Sequence, residues 1–237
     1  MRILITGAKG MLGATLVEQW QSTYDVCATD IKNFPENPAR KFFEFDLSSD
    51  CYTELLEWAM PDVIVHCGAI TNMDYCEKYP NQAMAVNAAS VRKLLEIQTQ
   101  SRLIFISSDA VFGDGFHMAS EDLDARPETI YGKSKKVGED MLREAPGLNL
   151  AVRTTIVGKN SNPAAKGFVE WIVESVREDR EITLFADVFF TPITIWDFAD
   201  ELEWIIRSTI SGVVHVASSD PVSKYEFGVG ICSQLGL

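Results

Sequence analysis

Tyr131 and Lys135 stand four residues apart in Tyr131-Gly132-Lys133-Ser134-Lys135, inside a segment from Tyr131 to Glu144 whose pattern predicts a helix. Residues four apart share one helix face, so a phenol and an ammonium can point at one substrate. A phenol has a pKa of about 10 in isolation, and a fixed positive charge nearby favours its ionised form. Lys135 is therefore expected to bring Tyr131 toward a useful acid–base range. The same spacing arises by chance on solvated helix faces, so the pair gains meaning only from the residues around it.

Three further groups supply that company. Ser107-Ser108-Asp109 follows an apolar run, Arg102 to Ile106, that reads as a strand. Its hydroxyls thus fall at a strand's C-terminal end, where open α/β sheets hold ligands, and one of them can polarise a carbonyl. Near the start of the chain, Gly7, Gly10 and Gly13 are spaced G-x-x-G-x-x-G between the apolar run 2–6 and a helix marked by Leu12, Leu16 and Trp20. Strand, glycine turn and helix in that order form a variant of the dinucleotide fingerprint, in which glycines permit the tight turn and close approach of a pyrophosphate. The helix N-terminus then offers free N–H groups to the phosphates. Asp30 ends the next strand, about 20 residues on, where an acid can bind the adenosine ribose hydroxyls. An acid there repels a 2′-phosphate and favours NAD over NADP, while the nearby Lys9 and Lys32 leave NADP open.

The elements that must position these groups alternate along the chain. A strand Lys41 to Phe45 ends at Asp46-Leu47, where Asp46 can accept from an adenine amine; a helix spans about Cys51 to Met60, and the run Val63 to Ala69 is a buried strand passing into small residues. Gly68 and Ala69 let a cofactor pass close to the backbone, and His66, within the apolar strand, reads as a core histidine. A long helix is expected from Asn81 to Thr99, with Asn87 among its buried positions; a buried amide needs partners, so Asn87 can brace the active-site loop. A sixth strand covers Asn149 to Thr154. Strands alternating with helices predict an α/β, doubly wound parallel sheet. Beyond it the pattern predicts a helix carrying Phe168, Trp171, Ile172 and Val176, a strand near Glu181 to Leu184, a helix from Asp197 to Ser208, a strand Val213 to Val216, and a last helix opened by a Ser223/Glu226 capping box. The aromatic stripe reads as core.

Composition narrows the partners. The chain has 237 residues and 34 acidic against 21 basic side chains, a formal charge of −13, which opposes binding to nucleic acid or an anionic membrane surface. Five scattered cysteines, none in a C-x-x-C pair, look like buried thiols of a reducing compartment. No long apolar span or leader pattern is seen, so a cytoplasmic location is expected. No cluster with metal-ligand spacing is present, and no metal is expected.

Taken together, TGAKGMLG, Asp30, Asp46-Leu47, ISSDAVFG and YGKSK resemble an extended short-chain dehydrogenase/reductase; HCGAITNMDYCEKYPNQAMAVNA, SSDAVFGD, IYGKSKKVGE and LAVRTTIVG are similar to the dTDP-4-dehydrorhamnose reductase family. The resemblance implies NAD(P)H-dependent reduction of a 4-keto sugar nucleotide. It makes Tyr131 the proton donor, Lys135 the group that lowers its pKa and holds the nicotinamide ribose, and Ser108 the hydroxyl that orients the carbonyl. Ser107 would neighbour the nicotinamide; Gly7, Gly10, Met11 and Leu12 would form the pyrophosphate loop; Cys67, Gly68 and Ala69 would face the cofactor. Asn87 and Ile156 would belong to the substrate side. Ile156 replaces the aromatic usual there, Phe190-Thr191-Pro192-Ile193 replaces the usual Gly-x-Pro-Thr, and Leu237 comes some tens of residues early. A Rossmann domain over 1–155 and an incomplete substrate lobe over 156–237, with some elements packing back, are expected, and a homodimer is one assembly open to the chain. Epimerases and dehydratases use the same Tyr and Lys, and a non-catalytic NAD(P)-binding regulatory subunit is a further alternative.

Overall fold

The computed structural model describes residues 1–32, 39–97, 100–113, 118–160 and 166–237. His117 and most of the Pro- and Asn-containing loop expected between Ile31 and Arg40 lie outside them, as does the expected end of the long helix at Thr99. In chain order the elements are β1 (Arg2–Thr6), α1 (Met11–Trp20), β2 (Asp25–Asp30), β3 (Phe42–Glu44), α2 (Tyr52–Ala59), β4 (Val63–His66), α3 (Met73–Lys78), α4 (Pro80–Met84), α5 (Ser90–Ile97), β5 (Arg102–Ile106), α6 (Ile130–Glu144) and β6 (Leu150–Arg153). There follow β7 (Ile156–Val157), α7 (Phe168–Arg177), β8 (Phe189–Phe190), β9 (Ile193–Thr194), α8 (Ile195–Arg207), β10 (Gly212–His215), β11 (Val222–Ser223) and α9 (Lys224–Leu235).

Seven strands form one sheet in the order β10-β6-β5-β4-β1-β2-β3, all pairs parallel. Parallel strands buried on both faces read as continuous apolar runs, and Ile3, Leu4 and Ile5, like Leu103, Ile104 and Phe105, are fully buried. The chain order reverses between β1 and β4, which makes the C-terminal end of that pair the place where such sheets open a crevice. One face of the sheet is covered by α1 and α8, whose Leu12, Leu16, Phe198 and Leu202 share a core with Ile3 and Ile5. The other face carries Tyr52, Leu55, Val91, Leu94 and Leu142.

Several boundaries differ from expectation for local reasons. The long helix expected from Asn81 runs without a gap from Pro80 to Ile97, but it is not regular: Ala85–Ala89 form a π-helical turn between α4 and α5. The extra residue in such a turn rotates the side chains of α5 about the helix axis, and π-helical turns recur at functional sites. The strand expected at Glu181 to Leu184 has no ladder; instead β8 pairs antiparallel with β11. The capping box predicted for the last helix is present, with the Ser223 hydroxyl accepting from Glu226 N at 3.1 Å and the Glu226 carboxylate accepting from Ser223 N at 3.0 Å. The cysteines are all free thiols, but Cys51 is exposed, and only Cys27 and Cys76 are buried, so the expectation of uniform burial is corrected. Among the described residues no helix is long and apolar enough to cross a membrane.

Candidate active site

A cleft of about 940 Å³ opens at the reversal between β1 and β4 and runs across the C-terminal ends of β2, β4, β5 and β6. Its first wall is the glycine turn. Gly7 has φ +67°, a conformation that disfavours any side chain, and a Cβ there would come within 2.6 Å of the Gly68 backbone. The turns after β1 and β4 therefore touch backbone to backbone. Gly10 caps α1 with no side-chain hydrogen bond and the first turn of α1 carries no acid, so its N–H groups and positive dipole end remain open to an anion. Asp30 stands at the end of β2, its carboxylate accepting from Lys9 N and Ile31 N, both at 2.8 Å. Asp46 Oδ1 accepts from the Ser48 N–H at 2.8 Å and closes the turn after β3.

The second wall is built by α6. Thr129 caps it, its hydroxyl accepting from Gly132 N at 3.0 Å, while Glu77 on α3 accepts from Ile130 N at 2.7 Å. These two caps fix the start of the helix that carries Tyr131 and Lys135. Both side chains are buried, at 9% and 2% exposure. The Lys135 ammonium donates to Ile106 O at 2.9 Å and lies 5.9 Å from the centroid of the Tyr131 ring. Burial pushes the Tyr131 phenol up to about 12, and the neighbouring Ser108 hydroxyl pulls the other way. Burial brings Lys135 down to about 8, with Cys67, Glu139 and Cys76 opposing. The phenol therefore ends above its ordinary value, not below it as expected: desolvation outweighs any help from the Lys135 ammonium, which is bonded to Ile106 O.

Two buried networks hold the floor. His66 is fully buried, with Nδ1 2.7 Å from Thr6 Oγ1 and Nε2 2.9 Å from Ser90 Oγ. Ser90 donates its proton to Val86 O, so it accepts from Nε2–H, and Nδ1 accepts from Thr6. Thr6 in turn accepts from Gly68 N at 3.1 Å. Burial holds His66 down to about 3, so this relay from the Gly68 loop to the π-helical turn stays neutral. In the second network Ser107 Oγ donates to Glu139 Oε1 at 2.6 Å, and Arg153 donates to the same carboxylate at 2.9 and 2.7 Å. Arg153 Nη1 also lies 3.3 Å from His215 Nε2; a guanidinium only donates, so His215 accepts there.

The cleft gathers Gly7, Gly10, Met11, Leu12, Asp30, Asp46, Leu47, Cys67, Gly68, Ala69, Ser107, Ser108, Tyr131, Lys135 and Ile156 on its walls. Asn87 is not with them. Its amide is fully buried, accepting from Ile70 N at 2.7 Å and donating to Ile70 O at 2.9 Å and to Ser134 Oγ at 3.0 Å. It braces the loop after β4 against α6 and presents nothing to a substrate. The Ser107 hydroxyl, although Ser107 lines the cleft, donates its proton to Glu139. Sequence reasoning missed Gln82, Ala85 and Val86, which line the cleft at helical spacing, and Thr154, whose Oγ1 is buried in the wall without a partner. The signal for the first three was a polar and small-residue face on an otherwise apolar helix.

The sheet, the glycine turn at its reversal and the Tyr131/Lys135 helix define a dinucleotide-binding Rossmann protein of the short-chain dehydrogenase/reductase type. Residues 1–237 match the family described as RmlD substrate binding domain, and the chain belongs to that family. It is 30% identical over 240 residues to the spore coat polysaccharide biosynthesis protein SpsK of Bacillus subtilis, with 100% of this chain and 80% of that one covered. It is 29% identical over 244 residues to the dTDP-4-dehydrorhamnose reductase of Aggregatibacter actinomycetemcomitans, covering 97% of this chain and 78% of the relative. The crystal structure of dTDP-4-dehydrorhamnose reductase from Bacillus anthracis in complex with NADP superposes with a TM-score of 0.87 at 28% identity, over 100% of this chain and 81% of that one.

Proposed function

We propose that this chain is an NAD(P)H-dependent oxidoreductase that reduces a 4-keto sugar nucleotide. The observation that carries the reading is the convergence of Tyr131, Ser108 and Lys135 on one cleft that also contains the open N-terminus of α1. The cleft fits a dinucleotide: Gly7 and Gly68 leave no side chain between backbone and ligand, and the first turn of α1 carries no acidic residue. Gly10, Met11 and Leu12 would hold the pyrophosphate, Asp30 the adenosine ribose, Asp46 and Leu47 the adenine, Cys67, Gly68 and Ala69 the middle of the cofactor, and Lys135 the nicotinamide ribose. When bound, the reduced nicotinamide would supply the hydride that the carbonyl carbon takes up.

The chain's own residues do the rest. Tyr131 Oη gives its proton to the carbonyl oxygen. Ser108 Oγ, which donates to Asp109 Oδ1 at 2.9 Å, turns to the same oxygen when substrate binds and stabilises the charge developing there. The Lys135 ammonium compensates the negative charge left on the phenolate. Residues 1–155 act as the dinucleotide-binding unit and 156–237 as the substrate lobe, with α8 and β10 packed back on the sheet. Free thiols and an excess of acidic residues suit a cytoplasmic enzyme, and a homodimer is one assembly open to it.

The test is oxidation of NADH and NADPH by the purified chain with a panel of 4-keto sugar nucleotides, followed at the nicotinamide absorbance. Net consumption separates reduction from epimerisation or dehydration, which return the hydride to the sugar; no turnover on any member of the panel sinks the reading. NADH is expected to bind more tightly than NADPH, because the pinned Asp30 carboxylate repels a 2′-phosphate. In Asp30→Ala the preference for NADH should shrink by roughly tenfold or more, as one charge at close range contributes about 1–4 kcal/mol. Tighter NADPH binding by the unaltered chain would remove Asp30 from this role.

The pH profile follows from the two shifts. With Tyr131 near 12 the phenol keeps its proton throughout the neutral range, and with Lys135 near 8 the ammonium is lost first as pH rises. The apparent kcat/KM for reduction should therefore be level below pH 8 and fall above it. A profile level to pH 10 would show that the reaction does not use the Lys135 ammonium.

A further inference from the structure

One cation near the cleft takes part in none of this chemistry. Lys224 is the first residue of α9, directly after the Ser223 cap, and its backbone N–H donates to Val188 O at 3.0 Å. Its ammonium lies 3.3 Å from the centroid of the Phe190 ring and 5.0 Å from that of Phe168. Phe190 is buried and packs edge-on to Phe227, whose ring is stacked with Phe168. The rings form a rigid clasp for the charge. Among the described residues no carboxylate pairs with it; Asp109 is the acid whose charge reaches it, while burial pulls its pKa below the ordinary lysine value.

In a chain with 34 acidic and 21 basic residues, an unpaired and half-buried cation is unusual. A lysine that only required water would extend away from the rings. The position explains the arrangement: Asp109 lies in the cleft wall beside Ser108, and Phe168 directly follows Gly167, which also lines the cleft. Lys224 thus stands at the lip that the C-terminal segment contributes. The cations in the cleft wall itself are already engaged, Lys135 with Ile106 O and Lys166 with Glu174. A diphosphate entering beside Asp109 would otherwise meet that carboxylate and cations already engaged elsewhere.

We propose that Lys224, held over the rings of Phe190 and Phe168, binds phosphate oxygens of the substrate's nucleoside diphosphate. This rests on the reading of the cleft as a sugar-nucleotide reductase site. The aromatic rings exclude water from one side of the ammonium and give it one position, so the charge acts at close range and with little ordering cost. A bound phosphate gives the desolvated cation the counter-ion it lacks.

The experiment titrates the full chain with dTDP, UDP and NADPH by calorimetry and measures reduction kinetics alongside. Lys224→Met, which keeps the apolar stem over the rings, should weaken nucleoside diphosphate binding tenfold or more and raise KM for the keto sugar nucleotide by a like factor. Its kcat and its NADPH affinity should stay within about threefold of the unaltered chain, and Lys224→Arg should recover most of the loss. Lys224→Gln serves as a second variant, and melting curves check that both remain folded. Unchanged dTDP and UDP affinity in Lys224→Met overturns the inference even where the reductase activity is found. A Lys224-dependent loss of dTDP binding in a chain that reduces no keto sugar would uphold the phosphate site and overturn the reductase reading. Absence of nucleoside diphosphate binding by the unaltered chain overturns the inference outright.

Discussion

Tyr131→Phe is expected to lower kcat by about 10²- to 10⁴-fold, the usual contribution of a positioned general acid, equivalent to about 3–5 kcal/mol of barrier. The substitution removes one oxygen from a side chain that is 9% exposed, and the ring keeps its place at the start of α6. The caps by Thr129 and Glu77 are untouched, as is the Lys135 bond to Ile106 O. Affinity for NADPH should therefore stay near that of the unaltered chain when followed by fluorescence titration. The two readouts together separate a lost proton donor from a damaged pocket. A loss smaller than tenfold would take the proton-donor role away from Tyr131.

Glu139→Ala is expected to be the most damaging single change to stability away from the apolar core. Glu139 is fully buried and its partner Arg153 is 3% exposed; removing the carboxylate leaves a guanidinium in the interior without its ion-pair partner. Breaking a buried pair in this way costs about 3–5 kcal/mol. For a chain of this length each kcal/mol corresponds to about 2–4 °C, so the midpoint of thermal unfolding should drop by about 6–20 °C. Ser107 also loses the acceptor that holds its hydroxyl. The double change Glu139→Leu with Arg153→Met should recover much of the loss, because apolar side chains of similar size replace such pairs at little net cost. A midpoint within about 2 °C of the unaltered chain for Glu139→Ala would mean that Arg153 finds solvent or another partner.

How far these sites are legible without coordinates varies with the physics behind each residue. The strands Arg2–Thr6 and Arg102–Ile106 can be read to the residue, because a parallel strand buried on both faces is an unbroken apolar run, here opened in each case by an arginine. The glycine turn and the Ser223 cap are equally plain, since backbone geometry and cap chemistry restrict which residues can serve. The Tyr131 helix is placed within one residue. What the chain does not display is anything set by burial from other elements. The Tyr131 and Lys135 pKa values move in directions that depend on desolvation, which spacing alone cannot report. Asn87 sits where a helical wheel puts it, yet whether its amide meets substrate or Ile70 depends on the π-helical turn, which leaves no compositional mark. The start of that helix at Pro80, by contrast, is legible to within one residue, since proline starts helices and rarely continues them. The short pairing of Phe189–Phe190 with Val222–Ser223 joins segments far apart in the chain, and two-residue strands carry no period to read.

The packing of α8 on α1 has a consequence for how the chain reaches its native state. Leu16 and Trp20, near the start, share a core with Phe198, Leu202 and Ile206, nearly two hundred residues later, and β10 completes the sheet only after α8. While the chain is being made, an N-terminal portion holding the whole cofactor fingerprint has one apolar face of its sheet and helix exposed until those late segments arrive. Closing so long a loop is slow, because its entropy is spent before the contacts form. Nascent chains interrupted before α8 would present a sticky surface that chaperones recognise. The dinucleotide fingerprint is thus written first but becomes a stable pocket late, with the last third of the chain acting as the latch of the first.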